Sequence, residues 1–324
     1  MISIGAIFPG QGSQHVGMGK YLVDNFKQAA QRFDEASEIL HLDCRKLCSS
    51  GNEQDLKLTE NTQPLLVLVS VASYEVLHDT CGLEAAAYAG HSVGEYSALV
   101  SAGAITFSDA IGAVRVRGRA MQKASPPGEG GMCAVMGLAD DQVRELCEWV
   151  EAESSLKPLS PANFNAPGQV VVSGRQTAID WMVANFKNKT TNAEAKPARV
   201  KFIPLKVSAP FHCSLMEPAE KEMRTVLSGI AFRKPSHPIV QNFSAQFNSE
   251  PELIREQLIR QITAPVLWTN CMRTMIASGI KTFIECGPGQ VLAGLAKRLS
   301  SEDLKVLNFN SIEDLKLIES TKWI

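Results

Sequence analysis

The chain has 324 residues, 45% of them hydrophobic, enough to bury one large core or two unequal ones. Its 32 Lys and Arg balance 34 Asp and Glu for a net charge of −2, so no global field draws it to nucleic acid or to an anionic membrane, and any anion site must be local. No apolar run reaches the length of a membrane span, and the eight cysteines show no C-x-x-C pair and no histidine at metal spacing, which points to reduced thiols in the cytoplasm rather than disulfides or a metal site.

Met1–Phe8 lacks a basic leader and breaks at Pro9-Gly10, so it is expected to be a first strand rather than a signal peptide. The loop that follows, Pro9-Gly10-Gln11-Gly12-Ser13-Gln14, fails as a dinucleotide fingerprint because His15 replaces the third glycine. It also lacks the G-K-[ST] of a phosphate loop, but its backbone can donate an N–H to an oxyanion. Tyr21–Leu40 and Gln63–His78 read as helices, alternating with short apolar strands in the pattern of a mainly parallel sheet covered by helices.

Gly90-His91-Ser92-Val93-Gly94 then stands between an apolar strand, Ala85–Ala89, and a helix, Glu95–Val100. G-x-S-x-G in that setting is a nucleophile elbow, in which a tight turn holds the serine hydroxyl clear of the backbone. The helix from Asp109 to Lys123 carries Arg115, Arg117 and Arg119, whose i, i+2 spacing cannot lie on one face, so one of them can turn inward and select an acyl group with a free carboxylate.

Ser125–Gly131, rich in Pro and Gly, marks a boundary. Beyond it come strand Met132–Leu138, helix Asp140–Glu151, strands Leu159–Phe164 and Gln169–Ser173, helix Gln176–Phe186, an exposed polar loop Asn188–Lys196 and strand Arg199–Leu205, a ferredoxin-like β-α-β-β-α-β order. Alternation resumes with strand Ile239–Asn242, helix Pro251–Ile262, strand Thr282–Cys286, helix Gln290–Arg298 and strand Lys305–Asn308. The expected fold is therefore α/β: an α/β-hydrolase-like large domain of residues 1–127 and 206–324, with an inserted ferredoxin-like α+β small domain of residues 128–205 and the ligand cleft between them.

A serine needs a base within hydrogen-bond reach. His41 and His78 fall near helix ends, His237 lies in a turn, nothing local orients His15, and the side chain of His91 diverges from its neighbour Ser92 and reads as support for the site. His212, in the rigid loop Val207-Ser208-Ala209-Pro210-Phe211-His212 after a strand, is the candidate base. No third member declares itself; Asp109 and Glu285 are both open.

Together these residues resemble the malonyl-CoA:acyl carrier protein transacylase family, including the related acyltransferase domains of polyketide synthases. The resemblance runs in order through Phe8-Pro9-Gly10-Gln11-Gly12-Ser13-Gln14, the Gly90–Leu99 segment, Arg117-Gly118-Arg119-Ala120-Met121-Gln122, Asn163-Phe164-Asn165-Ala166-Pro167-Gly168-Gln169 and Glu285-Cys286-Gly287-Pro288-Gly289. It implies that Ser92 is acylated, that His212 is its base and acid, that the amides of Gln11 and Val93 form the oxyanion hole, and that Arg117 grips the malonyl carboxylate. His91 and Phe211 are the further substrate-binding positions, and the backbone of Gln261 is implied to hold His212.

Val93 and Phe211 resemble malonyl-selective members, Phe211 leaving little room for a methyl branch. The implied donor is malonyl-CoA and the implied acceptor the phosphopantetheine thiol of acyl carrier protein, in fatty acid or polyketide biosynthesis, with no bound cofactor and no metal. A monomer is the expected state. Because such carriers are acidic, Lys201, Lys206, Lys297 and Arg298 are candidates for a docking patch. A serine hydrolase and a non-catalytic carrier-docking module are the competing readings; an inward Arg117 argues against the first, and Ser92 with His212 against the second.

Overall fold

The computed structural model describes residues 3–186, 200–299 and 304–321. Strand β1 (Ile4–Phe8) is buried along its whole length, as expected of a central strand covered on both faces. It pairs in parallel with β2 (Ala87–Gly90) on one side and with a later strand, Thr282–Glu285, on the other. Alternate side chains of β1 enter two separate cores. Ile4, Ala6 and Phe8 pack with the helices Lys27–Leu40, Thr59–Cys81 and Phe107–Lys123, whereas Ile7 meets Trp268, Met272 and Phe283 on the opposite face.

The next four strands, β3 (Gly130–Met136), β4 (Leu159–Ala166), β5 (Gln169–Arg175) and β6 (Lys201–Pro204), form an antiparallel sheet in the order β4-β5-β3-β6. Cys133 and Val135 face the helices Asp140–Ser154 and Gln176–Asn185. Met132 and Ala134, on the other face of β3, join the core of the larger unit. The two sheets are stitched together where Phe164 donates to the carbonyl of Val266 at 2.9 Å and Val266 donates back to Ala162 at 2.8 Å.

Completing the large sheet are β7 (Ile239–Val240), β8 (Phe247–Asn248), β9 (Thr282–Glu285) and β10 (Lys305–Asn308), in the order β10-β9-β1-β2-β7-β8. All neighbours are parallel except β7 and β8. The chain moves outward from β1 first through β2 and then, on the other side, through β9, so the carboxyl ends of these strands open a crevice. Phe8 lies in register with Gly90, which brings the loop after β1 and the turn after β2 out side by side.

Several expectations are corrected. Tyr21–Leu40 is two helices, Lys20–Asn25 and Lys27–Leu40, because Phe26 is extended (φ −131°) and turns its ring onto Tyr21 and Phe309. The helix read as Gln63–His78 begins at Thr59 and runs to Cys81, and the last helix before β10 is only Val291–Ala296. The strand read as Arg199–Leu205 is Lys201–Pro204; Pro204 is tolerated because β6 is an edge. Helices Cys44–Ser50, Glu217–Ser228, Trp268–Ala277 and Ile312–Ser320 had no counterpart in the sequence reading. The Asn188–Lys196 loop lies outside the described residues.

Candidate active site

Ser92 occupies the turn between β2 and the helix Gly94–Ser101 with φ +52°, a left-handed conformation that costs a non-glycine residue on the order of 1–3 kcal/mol and persists only where its surroundings enforce it. Both flanking positions exclude any side chain. A Cβ on Gly90 would stand 2.0 Å from the carbonyl carbon of Gly94, and one on Gly94 would stand 2.3 Å from the carbonyl oxygen of Phe8. The Ser92 amide is fixed from behind by Asn242 Oδ1 at 2.7 Å.

The hydroxyl Oγ of Ser92 lies 2.7 Å from His212 Nε2. His212 also has a positive φ, +61°, and is 3% exposed. Its Nδ1 lies 2.8 Å from the backbone carbonyl of Gln261. Since a carbonyl only accepts, Nδ1 carries the proton and Nε2 is left as the acceptor for the serine O–H. Burial, reinforced by the nearby Arg117 charge, pulls the pKa of His212 down to about 3, so the imidazole is neutral.

Neither open acid is at the ring. Glu285 accepts from the Leu292 and Ala293 amides and from Asn308, and Asp109 sits at a helix start accepting from Thr106. The remaining histidines lie elsewhere, save His91, whose Nε2 meets Asn165 Oδ1 at 2.8 Å and whose ring packs edge-on against Trp268.

The three arginines of helix Phe107–Lys123 separate as their spacing requires. Arg115 and Arg119 pair with Glu60, while Arg117 turns inward and is 1% exposed. Gly118 lets that helix press against the one beginning at Thr59, since a Cβ there would lie 2.7 Å from Glu60 Cα. Arg117 Nη1 donates to Gln63 Oε1 at 2.7 Å, and Nη2 donates to Gln261 Oε1 at 3.1 Å and to Ser92 Oγ at 3.2 Å. Burial lowers its pKa from a very high starting value. A guanidinium still remains charged at neutral pH.

These groups line a cavity of about 350 Å³ between the two sheets, closed on the small-sheet side by Met132 and Val171. Gln11 and Val93 lie on its wall, and among the described residues neither amide donates a hydrogen bond. Phe211 and Lys206 also line it; Lys201, Lys297 and Arg298 do not, Arg298 instead donating to Gln169 Oε1 at 2.7 Å. No group of three or more His, Cys, Asp or Glu side chains among the described residues is arranged to hold a metal, and no helix there is long and apolar enough to cross a membrane.

Sequence reasoning passed over Gln63, Glu95, Gln241 and Asn242, which make most of the hydrogen bonds beneath the site. A signal existed for Glu95 alone: a carboxylate inside the otherwise uncharged segment Gly94–Leu99 must find partners if it is buried.

The family model described as acyl transferase domain matches residues 6–313. The chain is 39% identical to the malonyl CoA-acyl carrier protein transacylase of Bacillus subtilis over 321 residues, covering 99% of this chain and 98% of that protein. Among solved structures it is similar to an acyl carrier protein S-malonyltransferase from Vibrio cholerae, with a TM-score of 0.89 and 40% identity over 98% of this chain and 99% of that one. It is also similar to a malonyl-transacylase solved with its type II PKS acyl-carrier protein, with a TM-score of 0.90 and 37% identity over 99% of this chain and 100% of that one.

Proposed function

The chain belongs to the acyl transferase domain family, and from that premise we propose how it moves a malonyl group from malonyl-CoA to the phosphopantetheine thiol of acyl carrier protein. It is an acyltransferase of fatty acid or polyketide biosynthesis. The observation that carries the mechanism is the convergence of Ser92 Oγ, His212 Nε2 and Arg117 Nη2 on one cavity.

In the proposed first half-reaction His212 Nε2 takes the Ser92 proton as Oγ attacks the thioester carbonyl. The amides of Gln11 and Val93, which donate no hydrogen bond among the described residues, receive the oxyanion. The intermediate collapses to a malonyl ester on Ser92, the C–S bond breaks, and the proton on His212 passes to the departing CoA sulfur. The phosphopantetheine thiol then gives its proton to His212 and attacks the ester, and Ser92 leaves with that proton. Gln261 holds the imidazole through its carbonyl, so no carboxylate is required to orient it.

Arg117 is the proposed carboxylate clamp, and an acyl group without a carboxylate leaves this buried cation unpaired, which is costly. The clamp also acts on the base. A malonyl carboxylate on Arg117 cancels part of the positive field that depresses His212, so the cognate substrate raises the basicity of the group that must accept the serine proton. Phe211 and His91 complete the acyl wall, Phe211 disfavouring a branch at the α-carbon. Its position at the cavity supports Lys206 as a carrier-docking residue over Lys201, Lys297 and Arg298.

The order β4-β5-β3-β6 supports reading residues 128–205 as a ferredoxin-like domain inserted into an α/β-hydrolase-like domain of residues 1–127 and 206–324. We further take the working form to be a cytoplasmic monomer, without resident cofactor or metal, that engages neither nucleic acid nor membrane. The eight cysteines, all free and all but Cys81 buried, support the reducing compartment.

Initial rates at varied malonyl-CoA and carrier protein test the acyl-serine route. Parallel double-reciprocal lines are expected; intersecting lines would mean that both substrates bind before transfer and that no acyl-enzyme is released to the second half-reaction.

A further inference from the structure

Glu95, three residues after Ser92, is fully buried and forms no ion pair among the described residues. Three donors from elsewhere in the fold converge on its carboxylate. Gln241 Nε2 reaches Oε1 at 3.0 Å, while the Asn242 amide and Gln261 Nε2 reach Oε2 at 2.8 and 2.9 Å. All three partner residues are themselves fully buried. Nothing in the transfer mechanism uses this group.

Its consequence lies in the side chain of Gln261, which spans the gap between Glu95 and Arg117. A guanidinium only donates and a carboxylate only accepts, so the amide between them has one permitted orientation. Its oxygen faces Arg117 Nη2 at 3.1 Å and its nitrogen faces Glu95. The same nitrogen lies 3.2 Å from the Ser92 carbonyl. Asn242, whose amide is held by Glu95, accepts from the Ser92 amide and donates through Nδ2 to the Gly90 carbonyl at 2.7 Å. One carboxylate thus sits at the root of two chains, one ending at the clamp and one at the elbow.

We propose that Glu95 is a positioning residue that sets acyl selectivity, polarising Gln261 so that the guanidinium of Arg117 is aimed at the acyl carboxylate beside Ser92. The inference rests on the clamp reading of Arg117. With glutamine at position 95 a single amide oxygen cannot serve donors on both sides, and the neutral acceptor seats and polarises the Gln261 side chain less strongly against Arg117. Malonyl transfer then suffers more than acetyl transfer, because only the malonyl group uses the clamp.

The test compares kcat/KM for malonyl-CoA and acetyl-CoA, with carrier protein as acceptor, in the native protein, Glu95→Gln, Gln261→Met and Arg117→Ala. Gln261→Met keeps the backbone carbonyl that holds His212 and removes the side-chain contacts to Arg117, Glu95 and the Ser92 carbonyl; since the Ser92 contact serves both substrates alike, the malonyl-to-acetyl ratio isolates the link to the clamp if Glu95→Gln does not fold. A fall in the malonyl-to-acetyl ratio of about tenfold or more is expected in both variants, as for the loss of one charge-assisted hydrogen bond. A native ratio in Gln261→Met, or an equal loss with both substrates in folded Glu95→Gln, overturns the role of Glu95 while a collapsed ratio in Arg117→Ala keeps the clamp. An unchanged ratio in Arg117→Ala removes the clamp, and this inference with it.

Discussion

Ser92 and His212 face each other at 2.7 Å from two backbones that both hold positive φ, +52° and +61°. Neither residue is a glycine, so the fold spends conformational strain at both ends of one hydrogen bond. The hydrogen bonds of Asn242 to Ser92 and of Gln261 to His212 are what hold that geometry.

Replacing His212 by alanine is expected to slow acylation of Ser92 by about 10²–10⁴-fold, the usual contribution of a positioned general base. Rapid-quench measurement of the malonyl-enzyme checks this. A rate near that of the native protein would transfer the base role elsewhere.

The pH dependence has a definite sign. As the proposed base His212 must be neutral, and burial with the Arg117 charge holds its pKa down at about 3, so kcat/KM for malonyl-CoA should stay level as pH falls from 8 to about 5 instead of declining near the ordinary histidine value of about 6.5. The acylation rate at saturating malonyl-CoA should titrate at higher pH than kcat/KM, since a bound carboxylate offsets the Arg117 charge. Stability follows the same linkage. The unfolded chain takes up the His212 proton below about 6.5 and the folded chain only near about 3, so this group's contribution to stability is lost progressively as pH falls between those values. Urea unfolding of the native protein and His212→Gln should show a shallower acid loss in the variant.

Phe211 is 7% exposed and lines the same cavity as Ser92. Phe211→Ser should raise methylmalonyl transfer relative to malonyl transfer by about 10–100-fold, the discrimination that one methyl group supports. Competition between the two CoA thioesters provides the measurement.

Gly90→Ala should cost at least about 2 kcal/mol of stability and most of the transfer activity, because the new methyl would overlap the Gly94 carbonyl. Chemical denaturation resolves a change of that size. A neutral substitution would show that the elbow relaxes freely.

The parts of this molecule that were legible in its sequence are those carried by local pattern. Gly90 and Gly94 announce a turn that only glycines can flank, and the strand and helix on either side appear within two residues of their expected places. The β-α-β-β-α-β run was visible because each element alternates with its own period. Helix Trp268–Ala277 escaped although Trp268, Cys271, Met272 and Met275 recur at helical spacing, because Leu267 at its start provides no capping side chain to mark it. At the site, the partner of His212 Nδ1 is a main-chain carbonyl, which any residue type could supply, so no search for an acid could have found it. Glu95, Gln241, Asn242 and Gln261 come from distant segments and become one network only through tertiary packing.

The most direct measurement is the intact mass of the protein after brief exposure to malonyl-CoA, followed by addition of carrier protein bearing its phosphopantetheine. A gain of one malonyl group localised to Ser92, absent in Ser92→Ala, is expected, with its reappearance on the carrier as the protein returns to its original mass. Free malonate released with no adduct on Ser92, or an adduct that persists in Ser92→Ala, would contradict it.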